Sequence, residues 1–219
     1  IINEVEEHKN VVSMISRQHA EPRAFSVKIN KLDSDRHYYV ISFTDITDIS
    51  IKSKEFEYKA SHDALTKIYN RIKLNELFKN EISLVKRYET SLSLIMFDID
   101  HFKLVNDNYG HLVGDKVLIA LSSYVQKQIR TTDTFARWGG EEFMILLSHT
   151  SLDDAELLAQ KLCHGVFTEL SFDEIDNISC SFGVTEFKKG DTQDIIFKRV
   201  DDALYEAKES GRNCVKLLV

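Results

Sequence analysis

Helical and strand patterns alternate over the last two thirds of the sequence, and this alternation restricts the possible fold more than any other feature. One group of segments has apolar residues at helical spacing, and another consists of short apolar runs of strand length. In chain order they predict helices and strands at Arg71–Tyr88, Leu92–Phe97, Val117–Ile129, Thr134–Trp138, Phe143–Leu147, Leu152–Phe167, Ile178–Thr185, Asp194–Glu209 and Cys214–Leu218. The expected architecture is α/β (α+β), with a mixed central sheet and surrounding helices.

The first 61 residues have a different pattern and predict a separate unit. Two segments of alternating apolar residues, around Phe25 and Tyr38, predict a β-hairpin, and a partial helical stripe precedes them. The stripe consists of Val5, Val12 and Ile15. Because two strands and one helix bury little apolar surface, residues 1–48 are expected to be the C-terminal part of a larger domain.

A charged segment connects this unit to the rest of the chain. Residues 49–61 predict a helical linker, in which Ile49 and Phe56 stand seven residues apart, the spacing of a coiled coil. A plain solvent-exposed helix explains the same pattern. Residues 62–219 then form the second and larger domain.

The net charge limits the classes of partner. With 28 Lys and Arg against 35 Asp and Glu the formal charge is −7, which disfavours binding to nucleic acid or to an anionic membrane surface. No apolar run approaches the ~20 residues of a membrane helix, and the acidic first ten residues do not resemble a signal peptide. We therefore expect a cytoplasmic domain without a membrane span in this segment. Because the sequence does not begin with Met, membrane attachment of the full-length protein stays open.

Three acidic side chains are candidates for chemistry. Asp98 follows an apolar strand, and Glu141 and Glu142 follow Gly139–Gly140 at the predicted tip of a hairpin. If these strands are neighbours, the carboxylates converge at one sheet edge, where they suit Mg²⁺, a cation that prefers oxygen ligands. Glycines at the tip would let a nucleotide lie against the backbone. The alternatives are an ordinary hairpin turn and, for Asp100, an N-cap of the following helix.

Polar residues also surround two glycines between the next predicted helices. Gly110 and Gly114 interrupt the helical pattern beside Asn106, His111 and Asp115. A carboxylate can accept from two N–H groups of guanine, and an Asn amide can both donate and accept. The alternative is that Asn106 caps one helix at its C-terminus and Asp115 caps the next at its N-terminus, which is compatible with recognition of a base.

Two basic residues end the last predicted helix. Lys208 and Arg212 complement the dipole at a helix C-terminus. If the fold brings them to the carboxylate edge, they become ligands for phosphate groups.

Together these motifs resemble the GGDEF family of diguanylate cyclases, over about His62 to Val219. The signature here is Gly-Gly-Glu-Glu-Phe at residues 139–143. Supporting motifs are His62–Thr66, Asn70–Arg71, Phe97–Lys103, Asn106–Asp107, Gly110–His111, Gly114–Asp115, Ser181–Val184 and Lys208–Asn213. The sequence departs from the family at Lys67 and Ile68, where Gly and Leu are usual.

The resemblance implies that two GTP molecules condense into cyclic di-GMP with release of pyrophosphate, on a fold similar to nucleotidyl cyclases and polymerase palms. It implies that Asp98, the Ile99 carbonyl and Glu141 hold Mg²⁺ or Mn²⁺, and that Glu141 or Glu142 accepts the proton of the attacking hydroxyl. The substrate-binding residues would be Phe102, Lys103, Asn106, His111, Asp115, Gly139, Gly140, Lys208 and Arg212. Because each site holds one GTP, catalysis would need a homodimer.

Two further motifs resemble regulatory elements. Arg130 and Asp133 form an RxxD that is separated from Gly139 by five residues, which resembles the family's inhibitory site for cyclic di-GMP. The alternative is a helix-end Arg and a turn Asp. Thr44–Asp48 resembles the end of a PAS-like sensor domain.

Two other functions compete with the enzyme. A catalytically silent domain that binds GTP or cyclic di-GMP would regulate a partner, but the signature carboxylates are intact here. A purine cyclase or polymerase-like enzyme would share the fold, and the guanine-reading pair argues against it.

Overall fold

The computed structural model describes residues 11–15, 22–31, 39–172, 175 and 177–219. The chain divides between Lys59 and Ala60 into two compact units. None of the described helices is both long and apolar enough to cross a membrane.

The first unit is built on a three-stranded antiparallel sheet in the order β1-β2-β3. Its strands are β1 (Val11–Ile15), β2 (Pro22–Lys31) and β3 (Tyr39–Asp45). The pairing of β2 with β3 confirms the predicted hairpin. Helix α1 (Thr47–Ser61) follows. The Asp45 carboxylate accepts hydrogen bonds from the backbone N–H and the hydroxyl of Thr47, the first residue of the helix, at 3.0 and 2.6 Å.

The predicted helical stripe in this unit is wrong where the structure describes it. Val12 and Ile15 lie in β1, which pairs antiparallel with β2; Val5 lies outside the described residues. Three apolar positions spaced seven and three apart do not distinguish a helix from a strand, and the backbone hydrogen bonds to β2 decide between them.

The second unit contains a six-stranded sheet in the order β4-β6-β7-β5-β8-β9, with β4/β6 and β8/β9 parallel and the other pairs antiparallel. This sheet and its helices confirm the predicted α/β fold. The elements are β4 (Tyr69–Asn70), α2 (Arg71–Tyr88), β5 (Leu92–Ile99), α3 (Phe102–Tyr109), α4 (His111–Gln128), β6 (Thr134–Gly139), β7 (Glu142–Ser148), α5 (Leu152–Glu169), β8 (Cys180–Glu186), α6 (Gln193–Glu209) and β9 (Val215–Leu217).

The central strand β5 is buried on both faces. Ile95, Phe97 and Ile99 belong to one apolar cluster, together with side chains from α3, α4 and α5. Leu94 and Met96 alternate with them and belong to a second cluster, with side chains from α2 and α6. Because helices cover both faces, the strand is a continuous apolar run, which is why the sequence predicts it well.

Three helix-capping roles that the sequence offered as alternatives are wrong. Helix α4 begins at His111 after Gly110, whose φ is +82°, so Asp115 lies inside the helix and does not cap it. Asn106 contributes its backbone carbonyl, not its side chain, to the end of α3, because the Gly110 N–H donates to it. Asp100 does not cap α3, whose N-cap position is His101 without a side-chain hydrogen bond. A polar side chain caps a helix only if the preceding backbone points it at the free N–H groups, which spacing alone does not reveal.

Candidate active site

The site is built where β5 ends beside the hairpin of β6 and β7. Asp98 pairs with Glu142 across the two strands, and the Ile99 N–H donates to the Glu141 carbonyl oxygen at 3.4 Å. The fold therefore brings Asp98, Glu141 and Glu142 together where β5 ends and β7 begins, as the sequence predicted for neighbouring strands. We call this end of the sheet the carboxylate edge.

The hairpin tip is open towards solvent. Gly140 has a φ of +29°, and a Cβ built there would meet no atom within 4 Å. A β-bulge between Arg137 and Gly139 changes the strand register just before the tip. The Arg137 Nε donates to the Gly140 carbonyl oxygen at 2.9 Å and thereby supports the turn from behind.

Arg137 also connects the tip to the start of the unit, a contact that the sequence analysis missed. Its Nη1 lies 3.1 Å from Oδ1 of Asp63, which also accepts from the backbone N–H and the hydroxyl of Thr66. Burial raises the pKa of Asp63, but the hydrogen bonds from Thr66 and Arg137 outweigh it and hold the pKa below its ordinary value. The signal available in the sequence was an Arg inside a predicted strand, two residues before the glycine pair.

Asp98 lies in a strongly perturbed environment. Its side chain is only 10% exposed, and Oδ2 lies 3.1 Å from Nζ of Lys208. Burial raises the pKa of Asp98 to about 6; the Lys208 ammonium opposes this rise, and the nearby charges of Glu141 and Glu142 add to it. Carboxylates that repel one another at a half-enclosed edge favour a bound cation.

The donors at this edge fit a hard divalent cation. The Asp98 carboxylate, the Ile99 carbonyl and the Glu141 carboxylate offer only oxygen atoms, the ligands that Mg²⁺ prefers. Within the described part of the chain no three His, Cys, Asp or Glu side chains form a ready metal-binding cluster. A metal held by two carboxylates, a backbone carbonyl and phosphate oxygens of a substrate would need only oxygen ligands and no cluster of three such side chains.

Helix α6 brings Lys208 to the edge because it packs directly on the sheet. A Cβ built on Gly183 of β8 would collide with the backbone nitrogen of Leu204, so only glycine allows this close approach. Since β8 neighbours β5, the last turn of α6 then lies beside Asp98. Arg212 is exposed in the loop that follows.

The predicted base-binding residues lie around the junction of α3 and α4. Asn106 and Asp115 are half-buried, whereas Lys103 and His111 are exposed. The ring of Phe102 is 7% exposed and belongs to the apolar core, so its side chain supports the segment from below.

Gly114 is buried inside α4, although the sequence predicted it to interrupt the helix. A Cβ at this position would collide with Oδ1 of Asn106 and lie 3.2 Å from the ring of Phe102. Glycine at 114 therefore makes room for the Asn106 side chain.

The RxxD motif lines a separate cavity of about 320 Å³. Oδ2 of Asp133 accepts from the backbone N–H of Arg130 at 2.9 Å. Its Oδ1 is buried and has no hydrogen-bond partner among the described residues. Burial raises the pKa of Asp133, and Arg130 opposes the rise. Other lining residues include Tyr69, Gln126 and Phe135. A buried acceptor without a partner beside a cation suits a ligand that carries N–H donors.

The family match and the relatives of this chain all point to diguanylate cyclases. The family described as "Diguanylate cyclase, GGDEF domain" matches residues 60–214. Diguanylate cyclase DgcP of Pseudomonas aeruginosa is 40% identical over 158 residues, which are 71% of this chain and 23% of that protein. Diguanylate cyclase DgcM of Escherichia coli K12 is 38% identical over 175 residues, 78% of this chain and 42% of that protein. The chain thus spans less than half the length of either relative.

Solved structures agree with the fold. The active GGEEF domain of a diguanylate cyclase from Vibrio cholerae is 38% identical with a TM-score of 0.65, covering 68% of this chain and 96% of that one. The coiled coil and GGDEF domain of DgcB from Caulobacter crescentus, in complex with c-di-GMP, is 25% identical with a TM-score of 0.75, covering 79% and 93%.

Proposed function

The chain belongs to the GGDEF family of diguanylate cyclases, and we propose on that premise that it condenses two GTP molecules into cyclic di-GMP with release of pyrophosphate. One observation carries the proposal: the buried Asp98, the intact Glu141–Glu142 tip and Lys208 lie together at one edge of the sheet. This arrangement offers anionic oxygens for a metal and a cation for phosphate within a few ångströms.

We propose that Asp98, the Ile99 carbonyl and Glu141 hold Mg²⁺, with Mn²⁺ as a substitute. A bound metal would neutralise triphosphate charge and stabilise the attacking and leaving oxygens. Lys208 forms an ion pair with Asp98, and its ammonium would turn to a phosphate oxygen when GTP binds, together with Arg212 and Lys103.

The chemical step transfers a nucleotidyl group. The 3′-hydroxyl oxygen of one GTP forms a bond to the α-phosphorus of the other, the bond from that phosphorus to the β-phosphate oxygen breaks, and pyrophosphate leaves. The hydroxyl proton passes to Glu141 or Glu142, both half-buried at the tip. A second such transfer closes the ring.

Asn106 and Asp115, with His111 nearby, are proposed to bind the guanine base, while Gly139 and Gly140 let the nucleotide lie against the hairpin backbone. The Asp115 carboxylate would accept from guanine N–H groups, which adenine does not present in the same pattern. The room that Gly114 leaves for Asn106 supports this assignment.

The reaction needs two sites that face each other, so we propose a homodimer. Helix α1 supports this proposal because Ile49 is 68% and Phe56 is 70% exposed, seven residues apart. The solved relative DgcB also contains a coiled coil beside its GGDEF domain. Residues 1–48 are proposed to be the end of a PAS-like sensor domain that precedes this linker, because Thr44–Asp48 resembles the end of such a domain and the described strands form a three-stranded sheet.

Cyclic di-GMP is proposed to act as a feedback ligand at Arg130 and Asp133. The planar guanidinium of Arg130 can bind a guanine edge or a phosphate, and Oδ1 of Asp133, for which the described residues supply no donor, can accept from guanine N–H groups. Bound product would inhibit by holding the protomers where their active sites cannot meet.

The test is product analysis of the purified protein with GTP and Mg²⁺ over a dilution series. We expect cyclic di-GMP and pyrophosphate, loss of activity with a chelator, and a specific activity that falls on dilution because the monomer is inactive. Glu141→Gln removes one negative charge at the metal edge and should lower turnover by about 10²-fold or more.

Circular dichroism must show that Glu141→Gln is folded. Nucleotide binding without product in the wild-type protein would instead favour a silent regulatory domain, and near wild-type synthesis by the variant would remove Glu141 from the mechanism.

A further inference from the structure

The buried carboxylate of Asp100 is not used by the proposed chemistry. It follows Asp98 by two residues and is 7% exposed. Its Oδ1 accepts from the Ser181 hydroxyl at 2.6 Å, and its Oδ2 accepts from the Ser179 hydroxyl at 2.7 Å and from the backbone N–H of Asn213 at 3.0 Å. Three donors on one buried side chain indicate that its position is strongly determined.

The contact to Asn213 joins Asp100 to the loop after α6. This loop contains three consecutive residues with positive φ, namely Gly211 at +105°, Arg212 at +65° and Asn213 at +45°. Glycine adopts this conformation readily and Asn does so more easily than most residues, whereas Arg212 needs support from the surrounding fold. The Arg212 N–H donates to the Ala207 carbonyl at 3.1 Å, which ties the loop to the helix on one side. Asp100 ties it to the sheet on the other.

We propose that Asp100 is a positioning residue for the phosphate-binding loop. Its carboxylate holds the Asn213 amide, and this contact keeps Arg212 in the left-handed conformation that directs the loop along the carboxylate edge. The same short segment of chain thus carries Asp98 for the metal and Asp100 for the loop, so both sides of the triphosphate site are built from one strand end. The inference rests on the proposed function, because it assigns Arg212 to the substrate phosphates.

The two serines explain why the carboxylate is oriented towards the loop. Ser181 is fully buried in β8, and the Asp100 N–H donates to the Ser179 carbonyl at 2.9 Å. These contacts fix the side chain from the β8 side, and Oδ2 remains directed at Asn213. An ordinary role as a helix cap is excluded, because α3 has no side-chain hydrogen bond at its N-cap position.

The experiment is a double-mutant cycle on binding of a non-hydrolysable GTP analogue with Mg²⁺, measured by calorimetry. Asp100→Asn keeps the shape of the side chain but removes its charge, so the hydrogen bond from the Asn213 amide is weakened by the loss of its ionised acceptor. We expect affinity to fall about tenfold in the wild-type background. In an Arg212→Ala background, Asp100→Asn should have no further effect, because the residue acts through Arg212.

Ser181→Ala is the matched control, since it removes one bond to Asp100 and leaves the bond to Asn213. It should change the affinity less than Asp100→Asn does. Equal losses for Asp100→Asn in both backgrounds, or an equal loss for Ser181→Ala, would overturn the positioning role.

A second measurement does not depend on any variant being folded. In the wild-type protein the Asn213 amide should exchange with solvent at least about tenfold more slowly than an unprotected amide, because Asp100 accepts from it. Exchange at the unprotected rate would overturn the inference by itself.

These readouts also separate the inference from the proposed activity. Coupling between Asp100 and Arg212 in a protein that makes no cyclic di-GMP would support the inference and contradict the activity. A wild-type protein that does not bind the analogue would contradict both.

Discussion

At the scale of single residues, the base-binding segment depends on an absent side chain. Gly114 lies inside α4, where alanine would be the better helix former by about 1 kcal/mol. The space that its missing Cβ leaves is filled by the Asn106 side chain. Glycine is therefore required at position 114 by packing, because it leaves space for Asn106, a residue proposed to bind the substrate.

We predict that Gly114→Ala weakens GTP binding without unfolding the protein. The new Cβ would collide with Oδ1 of Asn106 and force that side chain away from the base, so GTP affinity should fall about tenfold and selectivity over ATP should decrease. The gain in helix propensity should keep the unfolding temperature within a few degrees of the wild-type value. Calorimetry with GTP and with ATP and thermal unfolding give the measurements.

Ser123→Ala is the control for this variant, because Ser123 is an exposed residue of the same helix. Unchanged affinity and selectivity in a folded Gly114→Ala protein would show that Asn106 does not read the base.

At the scale of elements, the position of α6 is set by how closely it approaches β8. The helix backbone lies directly over Gly183, and this contact decides where the last turn of α6, with Lys208, meets the end of β5. The site is therefore an outcome of helix-on-sheet packing as much as of the residues at the edge.

We predict that Gly183→Ala lowers both stability and activity. A Cβ would collide with the backbone of α6, which cannot rotate away as a side chain can, so overpacking should cost about 1–3 kcal/mol. For a chain of this size that corresponds to a decrease of several degrees in Tm. Displacement of Lys208 from Asp98 should lower turnover in the folded fraction at 25 °C.

Asp201→Ala, on the exposed side of α6, should leave both quantities near wild type. If Gly183→Ala is as stable and as active as the wild-type protein, α6 adapts without loss and the close approach does not determine the site.

At the scale of the whole molecule, the RxxD cavity contains none of the residues at the carboxylate edge. Since a ligand in this cavity does not occupy the place of GTP, we propose that it would inhibit through the arrangement of the protomers or of the preceding unit. One carboxylate oxygen of Asp133 is buried and has no hydrogen-bond partner in the described part of the chain, which favours binding of a ligand with N–H donors in this cavity.

We predict that Arg130→Ala weakens binding of cyclic di-GMP and relieves product inhibition while GTP affinity stays unchanged. Loss of a bidentate guanidinium contact should weaken product binding by about tenfold or more. Calorimetry with cyclic di-GMP and initial rates with added product measure the two effects.

Lys127→Ala, an exposed basic residue in the last turn of α4, tests whether charge alone matters. Inhibition that persists unaltered in Arg130→Ala, or that Lys127→Ala relieves equally, would argue against a specific product site.

The sequence by itself determined the features that depend on local pattern. Helix α2 was predicted with its observed bounds, Arg71–Tyr88, because apolar residues recur along one face, and the structure adds Asn70 as its N-cap. Strand β5 was predicted because both its faces are buried and the run is continuously apolar. Asp98 and Glu141 were expected to lie close together if their strands are neighbours in the sheet. The spacing of the motifs indicated the family.

Only the tertiary structure decided which polar groups meet. A helix cap was the alternative role for Asp100, but its carboxylate accepts from the hydroxyls of Ser179 and Ser181 and from the backbone N–H of Asn213 in the loop after α6. Arg137 was not singled out, although it joins Asp63 to the hairpin tip. Val12 and Ile15 lie in a strand because the partner strand supplies their hydrogen bonds. Arg137 and Asp63 are 74 positions apart in the chain, and Asn213 and Asp100 are 113 apart. Such pairs leave no periodic signal in the sequence, because their contact exists only once the sheet and its helices have packed.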